Sequence, residues 1–176
     1  AAGQPATPFD ALPTDTFHRD MKLSHFFNGE GVHIIHESAA HTDGDSLVYF
    51  RGSDVISTGD IFVTGGYPNI DLARGGSING EIEALNQILD LSIAEFRSEG
   101  GTMVIPGHGR LCDSADVAYY RDMVTVIRDR IQDMIKRDMT LEQVKASKPT
   151  LDYDPRYGSG DRFIEAVYRS LSQRTK

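Results

Sequence analysis

Three apolar, β-rich stretches of this 176-residue chain each lead into a short segment that combines glycine with histidine or aspartate. Residues 32–35 precede His41, residues 55–58 precede Asp60, and residues 103–105 precede His108. Short apolar runs of this kind predict buried strands of a parallel or mixed sheet, with the polar residues gathered at one edge. Imidazole nitrogens and carboxylate oxygens at the ends of rigid elements are typical ligands of divalent cations such as zinc. The pattern therefore predicts that these three polar residues bind metal.

The segments around these residues also occur in an informative order. The chain contains, one after another, AHTDGDSLVYF, STGDIF and VIPGHG, with a long predicted helix between the last two. Together they resemble the metallo-β-lactamase superfamily. The resemblance implies an α/β fold, in which a mixed sheet flanked by helices forms part of an αββα sandwich. It also implies that His41 binds a first metal ion, that Asp60 bridges two ions and that His108 binds the second.

The same resemblance implies a cofactor and an activity. The cofactor is zinc, with two ions in a complete site. The activity is hydrolysis of an ester, thioester or lactam by metal-activated water. Selectivity in such a fold lies in loops that one sequence does not decode, so the resemblance leaves the substrate open.

The superfamily signature His-x-His-x-Asp-His is missing from the sequence, and none of the six histidines has this spacing. The 176 residues also fall short of the roughly 200–250 expected of a complete domain of this kind. The chain begins with Ala1 rather than methionine, which suggests a processed or engineered terminus. We therefore expect the C-terminal part of the domain, inactive alone until a missing N-terminal half supplies the remaining ligands. His33 and His36 lie three apart on a predicted strand, so they should face opposite sides and not share an ion.

Residues 61–76 form a long connection, punctuated by glycine pairs and a proline, before the next predicted helix. Long ordered loops near site residues are usually functional. In the resembled superfamily this segment lines the substrate cleft, which implies that Tyr67, Ile70 and Arg74 touch a small-molecule substrate. A packed surface loop is an equally good interpretation.

Three further residues lie close to the predicted ligands in sequence. Asp43 and Asp45 either orient the ligand histidine of their loop or belong to a solvated turn. Cys112 is the only cysteine, so an intrachain disulfide is excluded and the redox compartment stays open. We interpret it as a buried or loop thiol rather than a fourth ligand.

Hydrophobic periodicity and turn residues predict the order of elements. Two hairpins come first, built from strands at 21–27, 32–37, 46–51 and 55–58. A helix at 78–98, a strand at 102–105 and a long helix capped by Asp113 or Ser114 follow. A short helix at 141–147, a loop at 148–160 and a final helix around 163–171 complete the chain. Residues 1–16 read as an extended leader, and residues 17–176 as one partial domain with a helical tail.

Composition limits the partners. The formal charge of −8 disfavours a nucleic-acid partner, because phosphate binding needs clustered Lys and Arg. No apolar run approaches the length of a membrane span. Half of a sandwich would leave one apolar sheet face without a cover. The alternative to a hydrolase is therefore a non-catalytic interaction module that pairs with a second copy or with the complementing N-terminal half.

Overall fold

The computed structural model describes residues 6–93 and 101–173, without the side chains of residues 24–27. The strands are β1 (Asp20–Phe27), β2 (Glu30–Glu37), β3 (Asp45–Phe50), β4 (Val55–Ser57) and β5 (Met103–Ile105). The α-helices are α1 (Ile78–Leu91), α2 (Ser114–Lys136), α3 (Leu141–Ala146), α4 (Asp154–Tyr157) and α5 (Asp161–Ser172). Short 3-10 helices cover Phe9–Ala11, Gly59–Ile61 and Leu72–Arg74. The predicted α/β class is confirmed.

The five strands lie side by side in chain order, and the sheet is mixed, as predicted. β1 to β4 are antiparallel neighbours. The turn between β1 and β2 contains Asn28 and Gly29, whose φ angles are 54° and 72°. Such angles are those of the tight hairpin turns that Asn-Gly favours. β5 pairs parallel to β4, and the crossover that a parallel pair requires contains α1. The carboxyl ends of β4 and β5 therefore meet at one edge of the sheet.

Side chains alternate along the strands and give the sheet two unlike faces. The face towards the helices carries buried residues of the core, Leu47, Tyr49, Ile56 and Val104. The opposite face, which we call the open sheet face, carries apolar side chains that are only half-buried or are exposed. They are Val32, Ile34, Val48, Phe50, Val55, Met103 and Ile105. None of these seven belongs to the buried core.

Local sequence signals explain where the helices begin. The Ser77 side chain caps α1 by accepting a hydrogen bond from the Gly80 amide. Asp113 caps α2 in a reciprocal capping box, and Thr140 with Gln143 forms the capping box predicted for α3. The predicted apolar stripe of α2 is buried, and α2 packs against α1 and α5.

Two predictions of secondary structure need comment. The loop predicted at 148–160 contains a four-residue helix, α4, so an uninterrupted loop was wrong. It forms because the buried Tyr157 anchors the segment and the Thr150 carbonyl accepts hydrogen bonds from the amides of Tyr153 and Asp154. The predicted end of the first helix, 94–98, lies outside the described residues. Within the described ranges, no helix combines the length and the apolar character needed to cross a membrane.

Candidate metal centre

Asp60 lies on the 3-10 helix that directly follows β4, and His108 lies in the turn that directly follows β5. Backbone hydrogen bonds hold the two segments together: the Gly107 amide donates to the Phe62 carbonyl (3.0 Å), and the Thr64 amide donates to the His108 carbonyl (3.1 Å). The parallel pairing of β4 and β5 thus continues beyond the strands. It brings together two polar side chains that are 48 positions apart in sequence.

The three predicted ligands meet at Asp60. Its Oδ2 lies 3.8 Å from Nε2 of His41, and its Oδ1 lies 3.4 Å from Nε2 of His108. Each carboxylate oxygen therefore faces a different imidazole. The side chain of His41 is 17% exposed, that of Asp60 44% and that of His108 80%. The centre is accordingly a surface pocket with one histidine on its inner side and one at its rim.

A contact of Nδ1, the ring nitrogen that does not face Asp60, fixes the orientation of His41. Its Nδ1 contacts the backbone carbonyl of Asn69, which can only accept a hydrogen bond. Nδ1 must therefore carry a proton, and Nε2 is the ring atom that faces Asp60. Outer hydrogen bonds of this kind set the tautomer and ring orientation of metal-binding histidines. The backbone of His41 is held as well, because its carbonyl accepts from the Asp71 amide (2.8 Å).

The loop that carries His41 is closed by its own acidic residues. Asp45 accepts hydrogen bonds from the amide (2.8 Å) and hydroxyl of Thr42, and the Asp43 amide donates to the Arg74 carbonyl (2.9 Å). Neither carboxylate lies within hydrogen-bond distance of a predicted ligand. Asp43 and Asp45 shape the loop rather than contact the centre.

His36 fastens the same loop to β2. Its Nε2 lies 2.6 Å from the carbonyl of Asp43, and its Nδ1 lies 2.9 Å from the carbonyl of His18. Two carbonyl acceptors require both ring nitrogens to be protonated, and these bonds raise the pKa of His36 above its ordinary value. His33 lies on the other face of β2, where it pairs with Asp20 (2.9 Å). The two histidines thus lie on opposite faces of β2, as their spacing predicts.

A cavity of about 410 Å³ opens beside the centre, and Asp60, Tyr67, Asn69 and His108 lie among its lining residues. Of the predicted substrate residues, Tyr67 lines this cavity. Ile70 is 6% exposed and lines a neighbouring cavity instead. Arg74 is exposed, pairs with Asp71 (3.6 Å) and is not among the residues that line this cavity.

Sequence reasoning missed one ionisable residue next to the centre. Glu81 of α1 is fully buried, and neither of its carboxylate oxygens has a hydrogen-bond partner in the described part of the chain. Burial raises the pKa of Glu81 well above its usual range, and the nearby charges of Asp45 and Asp60 raise it further. Position 81 follows Ile78 by three and precedes Leu85 by four, so helical spacing places it on the buried stripe. That spacing was the available signal.

Cys112 lies apart from the three ligands. It is 5% exposed, and its backbone pairs with Val104 of β5 in both directions. Burial raises the pKa of its thiol to about 11. Cys112 is therefore a buried structural thiol, as expected.

No family model and no curated protein matches the sequence. Solved structures do match. A double mutant of the sec-alkyl sulfatase PisA1 superposes with a TM-score of 0.66 at 14% identity, over 89% of this chain and 26% of that one. The stereoselective inverting sec-alkylsulfatase Pisa1 from Pseudomonas sp. gives 0.63 at 15% identity, over 88% and 26%. A metallo-β-lactamase from Pontibacter korlensis gives 0.50 at 16% identity, over 64% and 49%.

The chain has a metallo-β-lactamase-like fold. It spans about a quarter of the length of the two sulfatases and about half of that of the lactamase. At such low identity the metallo-β-lactamase-like fold alone is established. The motifs around His41, Asp60 and His108 predicted that the chain is part of such a fold, and the structural similarity agrees with that prediction.

The three candidate ligands of this metallo-β-lactamase-like fold are of the chemical types that bind divalent cations, but there are too few of them for a complete site. The two histidines and the carboxylate have the donor types that zinc prefers. Within the described ranges, however, no three His, Cys, Asp or Glu side chains are placed to hold one ion. With one oxygen of Asp60 facing each imidazole, two ions would each receive two donors. Zinc sites take three or four protein ligands, so the described residues form an incomplete coordination sphere.

Proposed function

We propose that this chain supplies part of the dinuclear zinc centre of a metal-dependent hydrolase. In this assignment His41 binds the first ion, Asp60 bridges both and His108 binds the second. The observation that carries the proposal is that the two carboxylate oxygens of Asp60 face two different imidazoles, at 3.8 Å (His41) and 3.4 Å (His108). A carboxylate that bridges two ions would use its two oxygens in this way. The remaining ligands would come from a complementing N-terminal half.

The residues of the chain have distinct tasks in this proposal. His41 donates a hydrogen bond from Nδ1 to the Asn69 carbonyl and would bind an ion through Nε2 in a fixed orientation. The side chain of His108 is exposed at the rim and can change its orientation. Gly107 lies so close to Asp60 that no side chain would fit between them. Zinc held by these residues and the missing ligands would lower the pKa of a bound water enough for attack on an ester, thioester or lactam carbonyl. The 410 Å³ cavity beside Asp60 is the place where the scissile group would lie.

Tyr67 is the substrate-contacting residue that this geometry favours. Its hydroxyl donates to a carboxylate oxygen of Asp154 (2.8 Å), and its ring stacks on Phe163 with a centroid separation of 5.4 Å. Burial, and after it the hydrogen bond to Asp154, raises its pKa, so the phenol stays protonated. Tyr67 therefore offers a rigid apolar wall. Ile70 supports that wall from behind, and we assign Arg74 to contact substrate only at the outer edge.

Zinc titration tests the proposal directly. The chain should bind zinc, and Asp60→Asn, His41→Ala and His108→Ala should each weaken the binding at least about tenfold, as losses around metal sites do. His33→Ala removes a histidine outside the centre and serves as the matched control. Equal zinc affinity in the wild type and Asp60→Asn would contradict the proposal.

Activity needs the complete centre. A chain extended to carry the His-x-His-x-Asp-His segment should hold two zinc ions and hydrolyse members of a panel of esters, thioesters and lactams. If the extended chain held both ions and cleaved none of the panel, the hydrolase assignment would fail while the metal assignment stood.

A second candidate function rests on a different observation. The open sheet face is a continuous apolar surface, because the register places Phe50 beside Val55 and Val55 beside Met103. Met103 is 46% exposed and Ile105 37%. Large apolar patches of this kind mark association surfaces. The chain would then act as an interaction module that pairs with a second copy or with the complementing half, and light scattering at micromolar concentration would reveal an assembly rather than a monomer.

A further inference from the structure

The 410 Å³ cavity beside the candidate centre has an uncharged wall. Of the nine residues that line it, two are the candidate ligands Asp60 and His108, three are glycines and the other four have neutral side chains. No lysine or arginine of the described ranges is among them. Most of the surface that the cavity exposes is apolar. The wall therefore limits which part of a substrate can lie beside the centre.

Val63 and Tyr67 supply the apolar side chains of this wall. Both are half-buried, so part of each remains accessible. Val63 is held next to a candidate ligand, because it forms a parallel bridge with His108. The Tyr67 hydroxyl donates to a carboxylate oxygen of Asp154 (2.8 Å), which leaves the ring as the group that Tyr67 offers to the cavity. Side chains already held in place can contact an alkyl group at little entropic cost.

Thr64 and Asn69 supply the neutral polar side chains. Their backbones are fixed, because the Thr64 amide donates to the His108 carbonyl (3.1 Å) and the Asn69 carbonyl contacts Nδ1 of His41. Neither the Thr64 hydroxyl nor the Asn69 carboxamide forms a hydrogen bond with another described residue. Both groups can donate a hydrogen bond to a carbonyl oxygen or accept one. The cavity thus offers hydrogen bonds without a positive charge.

The arginines of neighbouring segments are engaged elsewhere. Arg110 forms two hydrogen bonds with the carboxylate of Asp116 (2.9 and 2.6 Å). The guanidinium of Arg156 lies over the ring of Tyr119, at 4.8 Å from its centroid. Arg162 lines a different cavity. An anionic group beside this wall would lose water without gaining a cationic partner from it, and burying an unpaired charge is costly.

We infer that this cavity holds a short, uncharged acyl chain of the substrate, next to the bond that is cleaved. The substrate class is then a neutral ester or thioester with a short aliphatic acyl group, rather than one whose acyl group carries a second carboxylate. The cavity volume is in the range of small-molecule pockets, which combine apolar walls with a few placed polar groups. The inference rests on the proposed function for the reaction itself, but the preference of the cavity can be measured separately.

Methyl butyrate and monomethyl succinate are matched probes, because one ends in a methyl group where the other has a carboxylate. The readout is nitrogen-15 amide spectra of the full chain in excess chelator, so that zinc plays no part. Methyl butyrate should shift the amide signals of Val63, Thr64, Gly65 and Tyr67 in a saturable way, with a Kd of about 10 mM, a modest affinity typical of so small a ligand. Monomethyl succinate should bind about tenfold more weakly, because its charge finds no partner.

Gly65 allows a charge to be added to the wall, because a β-carbon there would meet no atom within 4 Å. Gly65→Lys should shift the ratio of the two affinities about tenfold in favour of monomethyl succinate, as expected for a charge-assisted hydrogen bond. Gly65→Met adds a side chain of similar length without the charge. It should leave the ratio unchanged.

Two further substitutions separate the wall from the centre. Val63→Thr keeps the shape of the side chain but replaces a methyl group with a hydroxyl, so it should weaken methyl butyrate binding about threefold. Val126→Thr, at a position of α2 that is 37% exposed, is its control. Asp60→Asn removes the acid of the centre. This variant should still prefer methyl butyrate, because the preference comes from the wall and not from the charge of Asp60.

Four results would overturn the inference. They are the absence of saturable shifts with methyl butyrate, equal binding of the two probes by the wild type or by Asp60→Asn, an unchanged ratio in Gly65→Lys, and unchanged methyl butyrate affinity in a folded Val63→Thr. If Val63→Thr does not fold, the ratios in the other chains still decide. Zinc titration is a separate measurement. Zinc binding without methyl butyrate binding would remove the substrate class alone, and the reverse would remove the metal centre alone.

Discussion

The α-carbon of Gly107 faces Oδ1 of Asp60 and the backbone carbonyl of Gly59 without room for a side chain between them. A β-carbon at position 107 would overlap both groups. The turn before His108 thus fixes the carboxylate that the proposed centre shares. The absence of a side chain at position 107 determines where Asp60 can lie.

Gly107→Ala should therefore displace Asp60. We expect a loss of roughly 1–3 kcal/mol in the free energy of unfolding, the usual effect of overpacking, together with weaker zinc binding. Gly65→Ala is the matched control, because it lines the same cavity and a β-carbon there would meet no atom within 4 Å. Chemical denaturation measures the first effect and zinc titration the second. Equal stability of the two variants would show that the turn adapts without cost.

His36 makes the stability of the chain depend on pH. Its pKa is raised above 6.5 in the folded chain, mainly by the hydrogen bonds to the Asp43 and His18 carbonyls. A raised histidine pKa contributes stability that is complete below the unfolded pKa and is lost as pH rises through the folded value. His36→Gln should therefore destabilise the chain at about pH 5.5 and much less at about pH 9. His18→Gln is the control, since only the backbone of His18 contacts His36. A pH-independent effect of His36→Gln would argue against a charged imidazole.

Glu81 should lower stability at neutral pH in the metal-free chain. Because burial raises its folded pKa, the unfolded chain ionises first, and stability falls as pH rises above about 4.5. Glu81→Met keeps a similar volume and removes the unpartnered acid, so it should stabilise the chain by about 1–4 kcal/mol at neutral pH. The gain should be smaller near pH 4. The exposed Glu83 offers Glu83→Met as the control, which should change stability little. Thermal unfolding at both pH values provides the measurement.

We expect the open sheet face to control whether the chain associates with other chains. Met103→Lys with Ile105→Lys places two charges on the open sheet face, and burying unpaired charges against another chain is costly. If the face mediates assembly, the double variant should shift the chain to the monomer in light scattering. Leu151→Lys changes a residue that is 56% exposed outside the open sheet face. It should leave the assembly state unchanged, and a response to Leu151→Lys as strong as that to the double variant would refute the specific role of the face.

The sequence predicted those parts of the structure that local rules control. The Asn28-Gly29 turn and the Thr140 capping box were predictable because a few neighbouring residues determine their geometry. The meeting of His41, Asp60 and His108 followed from a topological rule, since the residues follow strands whose ends reach one edge of the sheet. These three positions were therefore accessible without coordinates.

Other features depend on contacts distant in sequence. Whether Ile70 faces a substrate or the core is decided by packing against segments that are far away along the chain. The turn of helix at α4 is stabilised by the burial of Tyr157, which hydrophobic periodicity over four residues cannot reveal. The role of Asn69 in orienting His41 connects residues 28 positions apart through a backbone carbonyl, a group that no sequence pattern displays.

The parallel pairing of β4 with β5 also affects how the site is assembled during folding. His41 and Asp60 lie on either side of the hairpin formed by β3 and β4, so their encounter needs only a short loop closure. We expect His108 to join the centre after the crossover through α1 has formed, because contacts between residues distant in sequence form slowly. Binding of zinc would then report on the arrival of β5, and a chelator added during refolding would distinguish chains that have made the crossover from chains that have not.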